Sequence, residues 1–500
     1  MNIKHKKSSF TLVWITVTAI FCVLFSFALI PGAEAQQNTN TNTETENVQA
    51  QIRNYINVMQ NVFDFIIRGY VDEVDPRLLF EGAMNGMFEA LGDPYSTFLT
   101  ESDMKDMGDT TMGSFGGVGL NITQPVGQRP DGKPRYVEVV SPIEDTPGWR
   151  AGINPGDFIK EIDGILTDTL TMDEVLGMLR GTPGENVRLV IKRGERMEFP
   201  VTITRAIIEV PTVKHAMIGD TGYLKLLTFT PYTADRAREA INEFRQNNYK
   251  NLILDLRNNY GGRLDSAVEI ANLFLDGGLV VRIRSRIRTE NRDFNANRST
   301  LVPADIPVIV LINRGSASAS EIVAGALKDR GRAYLVGENT FGKGSVQQIY
   351  PLSNVGFKLT TARYFTPSDV NIDKIGIPPD REIRFPEYTE EDAERLNELI
   401  NANRIPRFVE QNSQPSAAQI DGFARILERE YNLDISLIKR MIRNELNRTS
   451  ISPVYDLEYD IQLQEALNIF RSGSYQNLMQ NARTLRALQE EAEKRAALTS

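Results

Sequence analysis

The sequence predicts a multidomain α/β protein: a helical N-terminal arm, a compact α+β module, a larger layered α/β core and a helical C-terminal region. Three observations predict this. Apolar residues recur at helical spacing from Val48 to Leu91, and again beyond Pro386. From Ser114 to Arg205, short strand-like runs alternate with glycine-rich turns. From Ala206 to Phe385, apolar runs fit for buried strands alternate with amphipathic helical stretches, which is the order of an α/β layer fold. A length of 500 residues fits several domains, and 41% hydrophobic and 24% charged residues are ordinary for globular protein. The formal net charge of −9 argues against a nucleic-acid partner.

Residues 1–35 read as an export signal. Lys4, Lys6 and Lys7 precede an uncharged run from Phe10 to Ile30, and Ala33-Glu34-Ala35 offers a small-x-small cleavage site. The run exceeds the roughly 7–15 apolar residues usual in a signal peptide and meets the roughly 20 that span a bilayer. The segment is therefore either cleaved or kept as a membrane anchor, and the body of the protein is expected in the cell envelope, outside the cytoplasmic membrane. Residues 36–47 are polar and repetitive and read as a linker. Residues 48–110 form the expected helical arm, with Ile52, Tyr55, Ile56, Met59, Val62, Phe63, Ile66 and Ile67 on one broad face. So wide a stripe needs a partner, either within a small bundle or on a second subunit, and a homo-oligomer such as a dimer is expected.

Residues 111–205 carry "SFGGVGLNI", "RYVEVV", "GDFIKEIDG", a helical "TMDEVLGML" and "VRLVIKR" in order. This set resembles a PDZ domain. Gly117, Val118, Gly119 and Leu120 match the loop whose backbone N–H groups hold a peptide's terminal carboxylate, a nest that needs no charged side chain. Residues 206–385 form the largest expected core. The strands are "TGYLKLLTF", "NLILDL", "PVIVLI" and "AYLVGE", with helical stretches between them. Residues 386–500 are helical and charged, with four amphipathic segments.

The chemistry concentrates in "NRGSASASEIVAGALKDRG", Asn313–Gly331. Ser318 opens an S-x-x-E capping box with Glu321 ahead of an apolar helical face, and Gly331 is a natural stop. The serines also sit between a buried strand and a helix N-terminus, where free N–H groups suit a developing oxyanion. The single cysteine, Cys22, lies in the leader, so no thiolate nucleophile is available, and zinc sites built on Cys or His are ruled out. His215, the one histidine outside the leader, is expected to pack or face water. Lys343 is the other candidate base. To act near neutral pH it must lose about 4–5 kcal/mol of ammonium stabilisation from its ordinary pKa of about 10.4, which burial among apolar groups can supply where no carboxylate is close by. Gln347, four residues on, orients the amine without adding charge.

With these residues, "RGSASASEIVAGALKDRGRAYLVGENTFGKGSVQ" resembles the signature of the carboxyl-terminal processing (tail-specific) peptidases, serine proteases with a PDZ domain and a Ser–Lys dyad. The resemblance runs from about Asp93 to Asp380. It implies Ser318 as nucleophile, Lys343, 25 positions later, as general base, and Gln347 as its positioner. It also implies an oxyanion hole from the N–H of Ala319 and one N–H of Gly261-Gly262, with the choice of glycine open. Asp255 and Arg257 are expected to form a structural pair flanking that turn. Tyr260 stands where many members have Pro, and Asp369 where many have Gly. The expected activity is endoproteolysis near protein C-termini through an acyl-enzyme, alone or with an adaptor protein, and no metal or cofactor is implied. Two rival readings are a non-catalytic PDZ adaptor and an NTPase. The second rests on Gly337–Lys343, which spells G-x-x-x-x-G-K but continues with Gly344 and strand-like residues where a phosphate loop needs Ser or Thr and a helix.

Overall fold

A computed structural model describes residues 39–104, 112–124, 136–194, 196–298, 300–386, 388–412, 414–447 and 454–499. The export segment expected at 1–35 lies outside the described residues. The chain divides into two units after Met84. The first holds α1 (Thr39–Gly69) and most of α2 (Pro76–Glu89). α1 starts inside the stretch that composition reads as a linker. The Thr, Asn and Glu residues there include no Gly or Pro to stop a helix extending upstream of its amphipathic part. Ile52, Tyr55, Ile56, Met59 and Val62 are exposed. No described helix is long and apolar enough to cross a membrane.

The second unit opens with β1 (Thr97–Leu99), a strand inside the region expected to be helical through residue 110. Three residues are too few to show a period, and its partners lie some 260 positions away.

The module that follows comprises β2 (Ser114–Gly117), β3 (Leu120–Thr123), β4 (Val137–Pro142), α3 (Pro147–Arg150), β5 (Phe158–Ile162), β6 (Ile165–Leu166), α4 (Met172–Leu179), β7 (Asn186–Arg193), β8 (Met197–Thr204) and β9 (Ala206–Glu209). Its sheet runs β3-β4-β5-β7-β8, with β6 on β5, and β3 is an edge strand. β2 and β9 pair antiparallel and tie the two ends of the module together. Val137, Val139, Ile159, Ile162, Val187, Leu189 and Ile191 are fully buried, with Val175 of α4 packed on them. α4 begins at a closed capping box between Thr171 and Glu174.

The core contains β10 (Val213–Ile218), β11 (Thr221–Leu226), α5 (Thr233–Gln246), β12 (Asn251–Asp255), α6 (Leu264–Asn272), β13 (Gly278–Ser285), β14 (Arg292–Ala296), β15 (Val308–Ile312), α7 (Ala319–Asp329), β16 (Tyr334–Gly337), β17 (Ser345–Leu352), β18 (Val355–Phe365) and β19 (Arg381–Glu382). One sheet runs β10-β11-β12-β15-β16-β19 and is parallel from β11 to β19. The other is antiparallel, β1-β18-β13-β14 with β17 on β18.

The C-terminal helices are α8 (Glu390–Asn401), α9 (Arg404–Gln411), α10 (Ala417–Tyr431), α11 (Ile435–Leu446), α12 (Ile461–Arg471), α13 (Tyr475–Asn481) and α14 (Leu485–Thr499). Alternate residues of the parallel strands face opposite ways. Leu252, Leu254, Val308, Val310 and Ile312 share a core with α5, α6 and α7. Ile253, Ile309, Leu311 and Val336 share another with Leu463, Ala466 and Leu467 of α12 and Tyr475 of α13. The helices from α8 to α11 instead form a small core of their own around Leu399, Ile405, Leu427 and Ile438. The region expected as one block at 386–500 therefore has two jobs. A parallel sheet whose strands are apolar throughout must be covered on both faces, and α12 and α13 supply the second cover.

Candidate active site

The site is built at the C-terminal ends of two adjacent parallel strands, where open α/β sheets form their crevices. β12 ends at Asp255 and leads through Leu256–Gly262 into α6, while β15 ends at Ile312 and leads through Asn313–Ser318 into α7. The two turns are stitched together. Ser316 donates its hydroxyl to Leu256 O at 2.8 Å, and Asn313 Oδ1 accepts the N–H of Asn258 at 3.0 Å. Asn259 is fully buried. Its carbonyl accepts the N–H of Ala317 at 3.0 Å and the hydroxyl of Ser320 at 2.7 Å. Its side chain accepts the N–H of Gly261 at 2.9 Å and donates to Leu226 O at 3.0 Å.

Ser318 sits at the head of α7 with φ 55° and ψ −111°. A non-glycine residue held there costs on the order of 1–3 kcal/mol unless its surroundings fix it. They do so through Glu321, which is fully buried. Its carboxylate accepts the N–H of Ser318 at 2.8 Å, completing the half of the capping box that the S-x-x-E pattern predicts. It also accepts the N–H of Gly342 at 2.7 Å, the N–H of Lys343 at 2.9 Å and the hydroxyl of Thr340 at 2.5 Å. One carboxylate thus ties the backbone of Ser318 to that of Lys343. Tyr364 of β18 makes a second tie, its hydroxyl donating to the carbonyls of both Ser318 and Lys343. Burial pushes the Glu321 carboxyl above its ordinary range, against the hydrogen bonds that favour its charge. These bonds also remove the NTPase reading. The amides of Gly342 and Lys343, which a phosphate loop would turn to its anion, are bonded to a carboxylate.

Lys343 is half-buried, and desolvation pulls its pKa down. The charge of Lys358 pulls the same way, while Glu321 and Asp93 oppose it. Its Nζ lies 4.9 Å from the centre of the Tyr95 ring, and no hydrogen bond joins it to Ser318 or Gln347 in this state. Tyr95 belongs to the turn before β1. Asp93 accepts the Tyr95 N–H at 3.1 Å and the Ser96 hydroxyl at 2.5 Å, and Ser96 Oγ accepts the N–H of Thr360 at 2.9 Å. Gln347 on β17 donates its amide to Ser345 Oγ at 2.9 Å and Thr360 Oγ1 at 3.1 Å. Sequence reasoning missed Tyr95, Asn259 and Tyr364, because their partners lie far away in the chain.

The two glycines differ. A Cβ on Gly261 would lie 2.9 Å from Ser318 Cβ and 3.0 Å from Ala319 N, so this turn abuts the serine. A Cβ on Gly262 would lie 2.2 Å from Phe229 O. His215 is elsewhere engaged: its Nε2 lies 2.9 Å from Glu243 and its ring stands edge-on to Phe244. Tyr260 is exposed, and Asp369 adopts φ 65°, the left-handed backbone that favours glycine, with its carboxylate 2.7 Å from Arg282. Asp255 and Arg257 do pair, with Arg257 Nη2 2.6 Å from Asp255 Oδ2.

In the module, a cavity of about 310 Å³ lies between β3 and α4, lined by Phe115, Val118, Gly119, Leu120, Leu176 and Leu179 among others. The carbonyls of Val118 and Gly119 accept the N–H groups of Gly148 and Ile143. Gly119 has φ 77°, and a Cβ there would lie 2.3 Å from Thr146 Cβ.

Residues 220–383 match the model of Peptidase family S41, residues 138–193 that of the PDZ domain, and residues 19–103 that of the Activating protease CtpB N-terminal domain. Over 332 residues the chain is 42% identical to the Carboxy-terminal-processing protease of Bartonella bacilliformis, an alignment covering 65% of this chain and 74% of that one. The chain belongs to the carboxy-terminal-processing protease family. Within the family it is also 39% identical over 308 residues to the chloroplastic Carboxyl-terminal-processing peptidase 2 of Arabidopsis thaliana, covering 60% of this chain and 59% of that one. Among solved structures it is similar to a photosystem II D1 C-terminal processing protease, with 31% identity, a TM-score of 0.38, and coverage of 65% of this chain and 91% of that one. Like other members, it is a serine-type protease with a PDZ domain, which removes the adaptor reading.

Glu321→Gln tests the buried hub. The amide keeps one acceptor oxygen and turns an NH2 group toward N–H and O–H donors, so hydrogen bonds are lost at about 0.5–1.5 kcal/mol each. A carboxyl whose folded pKa lies above its ordinary 4.5 stabilises fully below that value, and the contribution is lost as pH rises through the raised folded pKa. The variant is expected to have a lower urea midpoint at pH 5 and to lack this fall in stability above it. Urea titrations across the pH range check both.

Proposed function

We propose that this chain is an exported endopeptidase that captures protein C-termini in its PDZ groove and cleaves near them with a Ser318–Lys343 dyad. The observation that carries this reading is the Glu321 carboxylate, which holds the backbones of Ser318 and Lys343 together beside the Gly261-Gly262 turn. In the neutral form, Lys343 takes the hydroxyl proton as Ser318 Oγ attacks the scissile carbonyl. Collapse of the tetrahedral intermediate breaks the C–N bond, and Lys343 returns the proton to the leaving amine. An acyl-enzyme remains, which water hydrolyses by the same route in reverse. Proton transfer requires Nζ within hydrogen-bond reach of Oγ, so Nζ leaves the Tyr95 ring on the way to the reactive state. Gln347, with its amide donated to Ser345 and Thr360, keeps its carbonyl for the amine. The oxyanion is received by the N–H of Ala319 at the head of α7 and by that of Gly262, since Gly261 N–H is taken by Asn259.

In the module, the edge strand β3 accepts an extended peptide as an added strand, and the Gly117–Leu120 loop receives its carboxylate. Export rests on the composition of residues 1–35, which either leave or remain as an anchor. The exposed apolar face of α1 supports pairing with a second copy.

Ser318→Ala and Lys343→Ala are each expected to abolish cleavage with folding intact. Lys343→Arg is expected to be equally inactive, because a guanidinium keeps its proton, and His215→Ala to retain activity. An inactive, folded His215→Ala beside an active Lys343→Ala would overturn the dyad. For recognition, calorimetry is expected to show tighter binding of a peptide with an apolar C-terminal residue and a free carboxylate than of its amidated twin, and equal affinities would remove carboxylate capture. For the base, Lys358→Gln deletes a positive charge that disfavours the Lys343 ammonium. Lys343 then holds its proton to higher pH, and the lower limb of kcat/KM against pH is expected to move to alkaline by about half a unit. A shift to acid would contradict the assignment of that limb to Lys343.

A further inference from the structure

We propose that the C-terminal segment at Asp460 is a working part of the peptidase site: acting through Arg257, it holds the turn that presents the oxyanion donors. This rests on the assignment of Ala319 and Gly262 as those donors.

Arg257 lies in the turn, two residues before Asn259, and is 7% exposed. Two carboxylates clasp its guanidinium from different parts of the chain. Asp255 accepts Nε at 2.9 Å and Nη2 at 2.6 Å. Asp460 accepts Nη1 at 2.7 Å and Nη2 at 2.6 Å, a bidentate fork. Gln462 Oε1 accepts Nη1 at 3.0 Å, so all three guanidinium nitrogens are occupied. Asp460 is itself fixed as the N-cap of α12, accepting the N–H of Leu463 at 3.0 Å. Gln462 is fixed by donating to Ile383 O at 2.8 Å. Asp255 is held by the Tyr223 hydroxyl at 2.6 Å, with Lys225 Nζ 4.0 Å away.

With Arg257 and Lys225 both beside Asp255, a second carboxylate balances the charge of the cluster. Balance alone does not fix geometry, and bringing another carboxylate to a buried pair carries a desolvation penalty. What Asp460 adds is direction. A guanidinium gripped on two edges cannot rotate, and its backbone is the next link but one to Asn259. Asn259 in turn sets Gly261, Ala317 and Ser320 through three hydrogen bonds, and a fourth ties it to Leu226 O. The line therefore runs from the head of α12 through Arg257 and Asn259 to both sides of the oxyanion position. Asp460 touches no reacting atom and is a positioning residue. It also lies beyond residues 220–383, the segment that matches the peptidase family model.

The test uses the full chain and a fluorogenic peptide with a free C-terminus, assayed well below each variant's melting temperature. Oxyanion donors act mainly on the transition state. Asp460→Ala is therefore expected to lower kcat by about 10–100-fold while KM stays within about twofold. Asp460→Glu is expected to recover part of kcat. In an Arg257→Lys background, Asp460→Ala is expected to add little further loss, because the two residues act in series. Should Asp460→Ala fail to fold, Asp460→Asn is read instead, since it keeps an acceptor for Leu463 and loses the bidentate fork. Unchanged kcat in the folded variant overturns the inference, whether or not the melting temperature falls. So does a full additional loss in the Arg257→Lys background, or a change in KM alone. An inactive Ser318→Ala beside a fully active Asp460→Asn would sink this inference and leave the proposed dyad standing, whereas an active Ser318→Ala would sink the dyad itself.

Discussion

A single carboxylate cut off from water sets the geometry on which the rest depends. Glu321 receives three backbone N–H groups and one hydroxyl, from the head of one helix and from a loop more than twenty residues later. An ionised carboxylate in that position is tolerable only because its acceptor capacity is filled. The requirement runs in both directions: the loop carrying Lys343 needs the carboxylate to satisfy its amides, and the carboxylate needs the loop to be bearable at all. The same group opposes the low pKa of the lysine it positions. Placement and proton affinity are thus in tension at this site, and burial together with Lys358 must outweigh the charge that does the holding.

Much of the fold was legible because it is local. The capping box at Ser318, the stop at Gly331, the apolar runs of β12 and β15, and the capped helix α4 are patterns within a dozen residues, and each follows from helix ends or strand periods. Ser318, Lys343 and Gln347 could be named as a chemical set for the same reason: each residue type suits its role whatever the fold. The structure brings the first two together through the backbone, while the lysine amine rests on Tyr95.

What could not be read depends on long separations. Nothing near Tyr95 says that its ring will meet Lys343, and nothing near β1 says that three residues will pair with β18. Glu321 looked like half of a cap; its larger share of bonds comes from Thr340, Gly342 and Lys343. The C-terminal helices looked like one amphipathic group because each has an apolar stripe, and a stripe does not name what it will cover. The sheet's demand for a second cover divides them.

That second cover has a consequence for the order in which the chain can fold. Strands β11 to β16 lie within residues 221–337, yet one side of their sheet stays bare until residues 461–481 arrive. A ribosome delivers the chain from its N-terminus, so the half-built sheet waits through more than a hundred residues with apolar side chains uncovered. Contacts that span so much chain close slowly, and the interval is one in which such surfaces aggregate or recruit chaperones. A scaffold sealed by residues 461–481 stays open while the chain before them is still being made.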